Sequence, residues 1–280
     1  MKNKLEGRVV ILGASGFLGA KIEEQARNKG WDVLGLSSSD IDLHESDAEQ
    51  KLLKVLKDGD TLIFSAGKVP AHESRTLSRN LEMAQRVHNV CSHVNLYQFV
   101  LISSDAVYGS SSGLFSESSL CVPDSLHGLM SLSKETLFCS VNSQIKTVIR
   151  PVAIYGNGDP HNAYGANRFL KQAMNEKKIT IFGEGTSIRD HIFVEDVARI
   201  VNETISTRFS GILNTASGIS YSFRALAEIV RSLSPQQISI EKFGNESTPT
   251  FKYYDISKLT KVMPGIQVSG AKEGLLKMLN

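Results

Sequence analysis

The alternation of short apolar segments with helical patterns predicts an α/β fold, built as a doubly wound parallel sheet, for this chain of 280 residues. Its first apolar segment, Val9–Leu12, runs directly into the glycine-rich stretch 13–19. A helical pattern follows, in which Leu18, Ile22 and Ala26 lie four residues apart and therefore on one face. A strand, a glycine turn and a helix in this order are typical of a Rossmann sheet that binds a dinucleotide.

The next elements continue the alternation of strand and helix. They are predicted, in that order, over 31–36, 48–57, 61–64, 77–94, 99–102, 131–141 and 147–149. Arg150 and Pro151 are expected to stop the last of these strands, because proline has no backbone N–H to donate. Strands joined by crossover helices pair in parallel, which predicts a single parallel sheet for this part of the chain.

Beyond residue 155 the pattern changes. Residues 156–160 have the sequence GNGDP, which is typical of a loop, and short elements follow without regular alternation. We therefore predict a nucleotide-binding domain over 1–155, to which residues 188–220 return. The smaller C-terminal portion, which is expected to bind substrate, comprises residues 156–187 and 221–280.

Composition and charge describe an ordinary globular protein, with 41% hydrophobic and 21% charged residues. The formal net charge of +2, with basic residues scattered along the chain, argues against a nucleic-acid or membrane partner. Cys91, Cys121 and Cys139 lie far apart and form no metal-binding pattern, so no metal site is expected. The cysteine spacing and the lack of a stretch of about 20 apolar residues predict a soluble, cytoplasmic protein.

The glycine-rich stretch carries the first functional prediction. Gly13, Gly16 and Gly19 remove Cβ atoms where the chain turns tightly and where a ligand must come close. The backbone N–H groups at the start of the following helix would then face a pyrophosphate. A glycine turn without a ligand is the alternative, but the strand, turn and helix lie in register and favour nucleotide binding. The predicted contacts are Gly13, Ser15, Gly16, Phe17, Leu18 and Gly19.

Further motifs lie along nearly the whole chain. They are Asp42-Leu43, Ser65-Ala66-Gly67, Asn80, SSDAVYG at 103–109, RPVAIYG at 150–156, RDHIFVEDVA at 189–198 and DISKL at 255–259. With the GxxGxxG loop, these motifs resemble the extended short-chain dehydrogenase/reductase superfamily, and within it the NAD-dependent epimerase/dehydratase family that acts on nucleotide sugars. They are specific for the superfamily and only weakly specific for the reaction.

The resemblance implies a role for each motif. Asp42 and Leu43 would contact the adenine, and Asn80 matches the asparagine of a family helix near the cofactor. Arg189 would bind the substrate diphosphate. The other implied cofactor contacts are Ser37, Ser65, Ala66, Gly67, Ser103, Lys134 and Pro151. The alternatives are a turn residue or helix cap for Asp42, a solvated surface for Asn80, and pairing with Asp190 or Glu184 for Arg189.

The 2′ position of the cofactor ribose is predicted from the end of the second strand. Ser37, Ser38, Ser39 and Asp40 follow this strand, and neither a carboxylate nor an arginine is expected at its tip. The lack of a carboxylate favours NADP(H) over NAD(H), because a negative charge there would repel a 2′-phosphate. The three serine hydroxyls could bind that phosphate, although serines are also common in loops.

The largest departure from the family pattern is Met130. Family members carry YxxxK on a helix, where the lysine holds the nicotinamide ribose and lowers the tyrosine pKa, and the phenol transfers a proton. Here Lys134 matches the lysine, but the thioether of Met130 stands at the tyrosine position and cannot donate a proton. The proton would then come from Ser104, from Asp105, from a water held by Lys134, or from His127.

The strand end at 103–109 separates the reactions of the family. Its sugar dehydratases carry adjacent Asp and Glu there, whereas Asp105 is followed by Ala106, which disfavours dehydration. We therefore predict NADPH-dependent reduction of a nucleotide-linked 4-keto-6-deoxy sugar, in surface-polysaccharide or lipopolysaccharide synthesis. Ser104 would bond the substrate oxygen, and Met130 would line the site as an apolar wall. An epimerase with a relocated base and a non-catalytic dinucleotide-binding regulator are the alternatives, and the family pattern allows a homodimer.

Overall fold

The structure, a computed structural model, describes residues 7–162, 165–245 and 248–279. Its strands are β1 (Val9–Leu12), β2 (Val33–Leu36), β3 (Thr61–Phe64), β4 (Leu96–Ile102), β5 (Gly113–Phe115), β6 (Ser143–Pro151), β7 (Ala153–Tyr155), β8 (Lys178–Phe182), β9 (Ile188–Phe193), β10 (Gly211–Thr215), β11 (Ser220–Ser222), β12 (Ser239–Phe243) and β13 (Lys252–Tyr254). Its helices are α1 (Phe17–Asn28), α2 (Ala48–Val55), α3 (Ser74–Cys91), α4 (Leu126–Phe138), α5 (Ala166–Glu176), α6 (Val194–Ser206), α7 (Phe223–Leu233), α8 (Ser257–Val262) and α9 (Ala271–Leu279). A short 3₁₀ helix spans Asp105–Tyr108.

The largest sheet has six strands in the order β10-β6-β4-β3-β1-β2. β1 pairs in parallel with β2 and with β3, so that Leu12 lies opposite both Leu36 and Phe64. The pairs β3–β4 and β4–β6 are parallel as well. From β1 the chain moves to β2 on one side and to β3 on the other, which makes the carboxyl ends of β1 and β3 the place where such sheets bind ligands. The predicted doubly wound parallel sheet is confirmed.

The inner strands are apolar because helices cover both faces of a parallel sheet. All four residues of β1 are buried, and so are all four residues of β3. In the same core, the rings of Phe99 and Phe138 stack with centroids 4.6 Å apart. Phe64 meets Phe138 edge-on at 5.4 Å, which joins the end of β3 to helix α4. The packing of α4 against β3 and β4 holds the strand ends that carry the predicted site.

The bounds of three helices differ from the predicted ones, and at α4 a capping residue explains the difference. The helices predicted over 48–57 and 77–94 span Ala48–Val55 and Ser74–Cys91. Helix α4 begins at Leu126 and not at Ser131, because the Ser125 hydroxyl accepts a hydrogen bond from the Gly128 N–H at 3.1 Å and caps the first turn. The earlier start places Met130 inside the helix and not before it.

The prediction that Arg150 and Pro151 stop the strand is wrong. β6 extends through both residues. Its register with β4 ends at Ile149, opposite Ile102, so the proline occupies a position where no ladder hydrogen bond has to be donated. The longer strand carries Arg150 into the interior, where its side chain becomes part of the site.

The chain forms two compact units. The first comprises the described residues of Met1–Gly109 together with Leu120–Pro151 and Val197–Leu213, and it contains the six-stranded sheet up to Leu213. The second comprises Ser110–Ser119, Val152–Asp196 and the described residues of Asn214–Asn280. The segment predicted to return to the first unit, 188–220, contributes Val197–Leu213 to it, and residues 1–6 of the predicted first domain lie outside the described residues.

The second unit is built from small sheets and helices. Its three sheets have the strand orders β11-β9-β7, β12-β8 and β13-β5. Asp190 lies on β9, and its carboxylate accepts hydrogen bonds from the Ser217 N–H and hydroxyl and from the Gly218 N–H. These bonds hold the loop between β10 and β11 against β9. Within the described parts of both units, no helix is long and apolar enough to cross a bilayer.

Candidate active site

The glycine loop between β1 and α1 requires residues without a Cβ. Gly13 has a φ of +87°, and its N–H donates to the Leu36 carbonyl at 2.8 Å. A Cβ on Gly13 would lie 2.8 Å from the backbone of Ala66, and a Cβ on Gly19 would overlap the Gly13 carbonyl. These contacts hold β1, β2 and the loop after β3 close together, which only glycine permits at both positions.

The start of α1 fits a pyrophosphate. Gly16 caps the helix without a side-chain hydrogen bond, and the first turn contains no acidic residue. The first N–H groups of a helix have no partner within it, so those of Phe17, Leu18 and Gly19 are available to an anion beside the exposed Ser15. A loop without side-chain bulk and a helix start without acidic residues suit the pyrophosphate of a nicotinamide dinucleotide.

The end of β2 differs from what the sequence predicted. The Asp40 carboxylate accepts hydrogen bonds from the Ser37 hydroxyl at 2.6 Å and from the Ser37 N–H at 2.8 Å. The expectation that no acid lies at this strand tip is therefore wrong, because a turn closed by the Asp40 N–H and the Ser37 carbonyl returns the acid to the strand end. The same hydrogen bonds lower the pKa of Asp40, which keeps it charged at neutral pH.

Asp42 and Leu43 follow this turn. The Asp42 carboxylate accepts a hydrogen bond from the His44 N–H at 2.9 Å, so one of its oxygens stabilises the loop in the way a turn residue does. Leu43 is buried in the core of the first unit. The predicted contact of Asp42 and Leu43 with the adenine stays a prediction. The Asp42 hydrogen bond holds the backbone of the loop that would make this contact.

Asn80 is a buried residue of α3 and not a surface one. Its side-chain oxygen accepts from the Lys68 N–H at 2.9 Å, and its amide donates to the carbonyls of Lys68 at 2.9 Å and Thr76 at 2.8 Å. The amide is therefore fully engaged with the backbone of its own helix and of the loop that follows β3. Asn80 positions Ser65, Ala66 and Gly67 through that loop and has no N–H group left over for a direct contact.

The strand end after β4 presents two serines with different partners. The Ser103 hydroxyl donates to the Glu135 carboxylate at 2.5 Å. The Ser104 hydroxyl caps the 3₁₀ helix by accepting from the Ala106 N–H at 3.1 Å, and it lies 3.5 Å from the Asp105 carboxylate. Ser104 and Asp105 are partly buried and lie together at the carboxyl end of the strand, as predicted from the motif.

Helix α4 brings the predicted Met130 and Lys134 to the same side. The two residues lie four apart and are both buried, with 2% and 5% of their surfaces exposed. A Cβ on Gly128 would overlap the Ala106 carbonyl, so this glycine lets α4 approach the 3₁₀ helix that follows Ser104. A methionine therefore occupies the interior next to the lysine, in the place where the family pattern has a phenol.

The Lys134 ammonium contacts an aromatic ring. Its Nζ lies 4.5 Å from the centroid of the Phe64 ring. Within the described ranges it has no hydrogen bond and no ion pair. Burial lowers the pKa of Lys134 to about 8. A buried ammonium that bonds to no acceptor among the described residues has three donors available to a ligand.

A buried ion pair beside these residues was not predicted from the sequence. Arg150 donates to the two Glu135 oxygens at 2.6 Å and 2.9 Å, and to the Tyr108 hydroxyl at 2.9 Å. Both members of the pair are nearly inaccessible to solvent. The pair, together with the Ser103 hydrogen bond to Glu135, joins β4, α4 and β6. Glu135, which follows Lys134 directly on the helix, could have indicated a buried ion pair. Its partner Arg150 lies on a strand, and the sequence does not show that the two residues meet.

In the second unit, Arg189 lies on β9, opposite Tyr221 of β11. Its guanidinium forms neither a hydrogen bond nor an ion pair with any described residue. The two alternative partners are engaged elsewhere: Asp190 accepts from Ser217 and Gly218, and Glu184 pairs with Lys242. Pro151, the last predicted cofactor contact, is the buried end of β6 in the first unit. Among the described residues, no cluster of three or more His, Cys, Asp or Glu could hold a metal ion.

The sheet order and the glycine loop define a Rossmann-type dinucleotide-binding protein. The chain matches the model of the NAD dependent epimerase/dehydratase family over residues 9–212. It belongs to this family, which confirms the resemblance of its motifs.

Named relatives cover much of the chain. One is an uncharacterized UDP-glucose epimerase, YtcB, of Bacillus subtilis, which is 23% identical over 96% of this chain and 95% of its own length. The dTDP-4-dehydro-6-deoxyglucose reductase of Escherichia coli is 28% identical over 61% of this chain and 58% of its own. The solved structure of MoeE5 in complex with UDP-glucose and NAD is 23% identical, has a TM-score of 0.82, and covers 98% of this chain and 97% of its own. The last likeness shows that the fold is shared.

Proposed function

We propose that this protein is an oxidoreductase that reduces the keto group of a nucleotide-linked sugar, of the 4-keto-6-deoxy class. The observation that carries the proposal is the buried Met130 beside the buried, unpaired ammonium of Lys134 within the described part of the chain. A site of this kind holds a proton donor but lacks the phenol that family members use as a reversible base.

Reduction and epimerisation place different demands on such a site. A 4-epimerase must remove a hydroxyl proton and return it in every cycle, so it depends on a group that acts as base and then as acid. A reductase delivers one hydride and one proton to a carbonyl group, and the reaction is driven by a supply of reduced cofactor. Loss of the phenol at Met130 is therefore less damaging to a reductase.

The end of β4 supports reduction over dehydration. Asp105 is followed by Ala106, so the pair of adjacent acids that eliminates water in family dehydratases is missing. Similarity to the Escherichia coli dTDP-4-dehydro-6-deoxyglucose reductase, although it covers only 61% of this chain, points to the same class of substrate.

The residues of the site then have separate roles. When bound, the reduced nicotinamide supplies the hydride. Gly13, Gly16 and Gly19 let the backbone of the loop pack closely without side chains, and the start of α1 binds the pyrophosphate. Ser104 donates a hydrogen bond to the substrate oxygen, and Arg189 binds the diphosphate with a guanidinium that fits two oxygens at once.

For the cofactor, the geometry at the end of β2 favours NAD(H) over the NADP(H) expected from the sequence. Asp40, charged and bonded to Ser37, places a carboxylate where a 2′-phosphate would be repelled. A free ribose diol could instead donate hydrogen bonds to it. MoeE5, which shares the fold, was solved in complex with NAD, and this agrees with the proposed preference for NAD(H).

The test is a substrate panel. The purified protein is mixed with NADH or NADPH and with dTDP-, GDP-, CDP- and UDP-linked 4-keto sugars, and cofactor oxidation is followed by absorbance. We expect NADH oxidation with at least one sugar and an alcohol product of matching amount. Tight cofactor binding without oxidation by any sugar would refute the proposal and favour a non-catalytic binding protein.

Epimerisation is the second candidate, because the Bacillus subtilis relative that covers 96% of this chain carries the name of a UDP-glucose epimerase. Its signature would be conversion of UDP-glucose into a stereoisomer with no net consumption of cofactor. Chromatography of the sugar after incubation with catalytic amounts of NAD distinguishes the two reactions.

A further inference from the structure

The proposed reduction needs a proton source. The choice of a proton donor rests on that proposed function. Groups with a transferable proton or a proton-binding site lie around the end of β4 and along the adjoining side of α4. They are Ser103, Ser104, Asp105, Tyr108, His127, Lys134 and Glu135. Several of these groups have side-chain hydrogen bonds to one another, whereas the Lys134 ammonium has no hydrogen bond and no ion pair among the described residues.

Ser103, Tyr108 and Glu135 already have hydrogen-bond partners. The Ser103 hydroxyl donates a hydrogen bond to Glu135, whose two carboxylate oxygens also accept hydrogen bonds from Arg150. The Tyr108 hydroxyl accepts a third hydrogen bond from the same guanidinium, which does not release protons in proteins. These four side chains form a hydrogen-bonded network that joins the strand end to α4 and β6.

Ser104 is suited to orient a substrate and poorly suited to act as an acid. Its oxygen accepts the Ala106 N–H, and its proton points toward the Asp105 carboxylate at 3.5 Å. A serine hydroxyl is a very weak acid, so Ser104 would need another group to supply the proton that it passes to the substrate. His127 lies two helical turns from Lys134, about 10 Å along the axis of α4, in the first turn of the helix.

Charged groups on the elements that pack against α4 do not pair with Lys134. On β6, Arg150 is neutralised by Glu135. On α3, His88 bonds Ser140 beyond the far end of α4, and Arg86 donates to the carbonyls of Leu43 and Glu45. Asp105 of the 3₁₀ helix lies next to Ser104. The environment of the ammonium is therefore set by burial and by the Phe64 ring.

We propose that Lys134 is the general acid, and that its ammonium passes a proton directly to the carbonyl oxygen of the sugar. In this step the C=O π bond of the sugar, the C–H bond that carries the hydride of the reduced cofactor and one N–H bond of the Lys134 ammonium break, while a new C–H bond and a new O–H bond form on the sugar. The ketone is reduced to an alcohol, and NADH, the co-reactant of the proposed function, is oxidised to NAD. The neutral amine of Lys134 takes up a proton from solvent before the next turnover.

The acidity of the group suits this role. Burial lowers the pKa of Lys134 to about 8, so the side chain is still mostly protonated at neutral pH but releases its proton more readily than an exposed lysine. Because the protonated form is the active one, turnover is expected to be full at low pH and to fall as the pH rises through about 8. A lysine that only held the cofactor ribose would instead change the affinity for NADH over this pH range, and kcat at saturating NADH would stay constant.

A titration without cofactor or substrate tests the first part of the proposal. Lysine is labelled with ¹³C at Cε, and the resonance that disappears in Lys134→Arg is assigned to Lys134. Lys146→Arg is the matched control, since this lysine lies on β6 and donates to the Cys139 carbonyl at 2.6 Å. We expect the Lys134 resonance to titrate near pH 8. Titration near the ordinary value of about 10.4 would overturn the proposal.

Kinetics test the second part. Lys134→Arg keeps the charge and the hydrogen-bond donors but does not release a proton at neutral pH. We expect it to lower kcat by about 10²- to 10⁴-fold, the usual contribution of a positioned acid, while NADH still binds. In Lys134→Ala, added methylammonium is expected to restore part of kcat in proportion to its concentration, because it supplies the missing acid.

The outcomes separate this proposal from the proposed function. If the unmodified protein reduces a sugar and Lys134→Arg keeps kcat within about tenfold, Lys134 is a ribose ligand and the proton-transfer role is refuted. Loss of turnover in His127→Asn together with retention in Lys134→Arg would assign the proton to the histidine and also overturn it. A protein that reduces no sugar of the panel refutes the proposed function, and the general-acid role with it.

Discussion

Replacement of Glu135 by glutamine is expected to destabilise the first unit strongly. The side chains of Glu135 and Arg150 are only 7% and 4% exposed, and they are joined by two hydrogen bonds of 2.6 Å and 2.9 Å. Removing the carboxylate charge leaves the guanidinium buried without a counter-charge, which typically costs about 3–5 kcal/mol. A glutamine can still accept one hydrogen bond, so the lost charge accounts for most of this cost.

Urea denaturation measures the effect. With an m-value of about 1–3 kcal/mol per molar urea, a loss of this size lowers the unfolding midpoint by more than about 1 M. Glu24→Gln is the control, because it breaks an exposed pair with Lys21 on α1 that is worth about 0.2–1 kcal/mol. The double variant Glu135→Gln/Arg150→Met removes both charges and is expected to be more stable than the sum of the single changes predicts. A midpoint shift in Glu135→Gln no larger than that of Glu24→Gln would refute the reasoning.

Three other changes have defined outcomes. Asp40→Ser removes the charge at the end of β2 and is expected to shift the ratio of the NADH and NADPH affinities about tenfold toward NADPH. Titration of nicotinamide fluorescence measures both affinities, and an unchanged ratio would contradict the role of Asp40. Gly19→Ala places a Cβ against the Gly13 carbonyl, so NADH binding should be lost while circular dichroism shows a folded chain, and retained affinity would count against the glycine-loop site. Tyr155→Phe removes a buried hydroxyl that has no hydrogen-bond partner among the described residues. The change is expected to raise the unfolding free energy by about 1 kcal/mol. A loss of stability in urea would show instead that the hydroxyl makes a stabilising hydrogen bond.

Much of the first unit could be predicted because its signals are local. The strand, glycine turn and helix from Val9 to Asn28 follow each other in the sequence, and the structure keeps this order. Apolar periodicity alone predicts a start of α4 at Ser131, whereas the cap at Ser125 sets the observed start at Leu126. The missing N–H of proline predicts an end of β6 before Arg150, but a proline at the last position of a strand breaks no hydrogen bond.

The interactions between side chains of the site were harder to predict. Asp40 lies outside β2 in the sequence and reaches the strand end only through a turn. Glu135 and Arg150 belong to a helix and a strand that are separate in sequence, so their pairing depends on tertiary packing. Met130 and Lys134, by contrast, share a helix, and their common face follows from their spacing alone.

The hydrogen bonds of Asn80 have a consequence for the energetics of ligand binding. Because this amide ties both the N–H and the carbonyl of Lys68 to α3, the loop after β3 is held in one conformation by the protein itself. A ligand that binds along Ser65–Lys68 would not have to order the loop, and the conformational entropy is lost on folding and not on association. Preorganisation of this kind is expected to show as a small heat-capacity change and as hydrogen-exchange protection of the loop amides that is already high before any ligand is added.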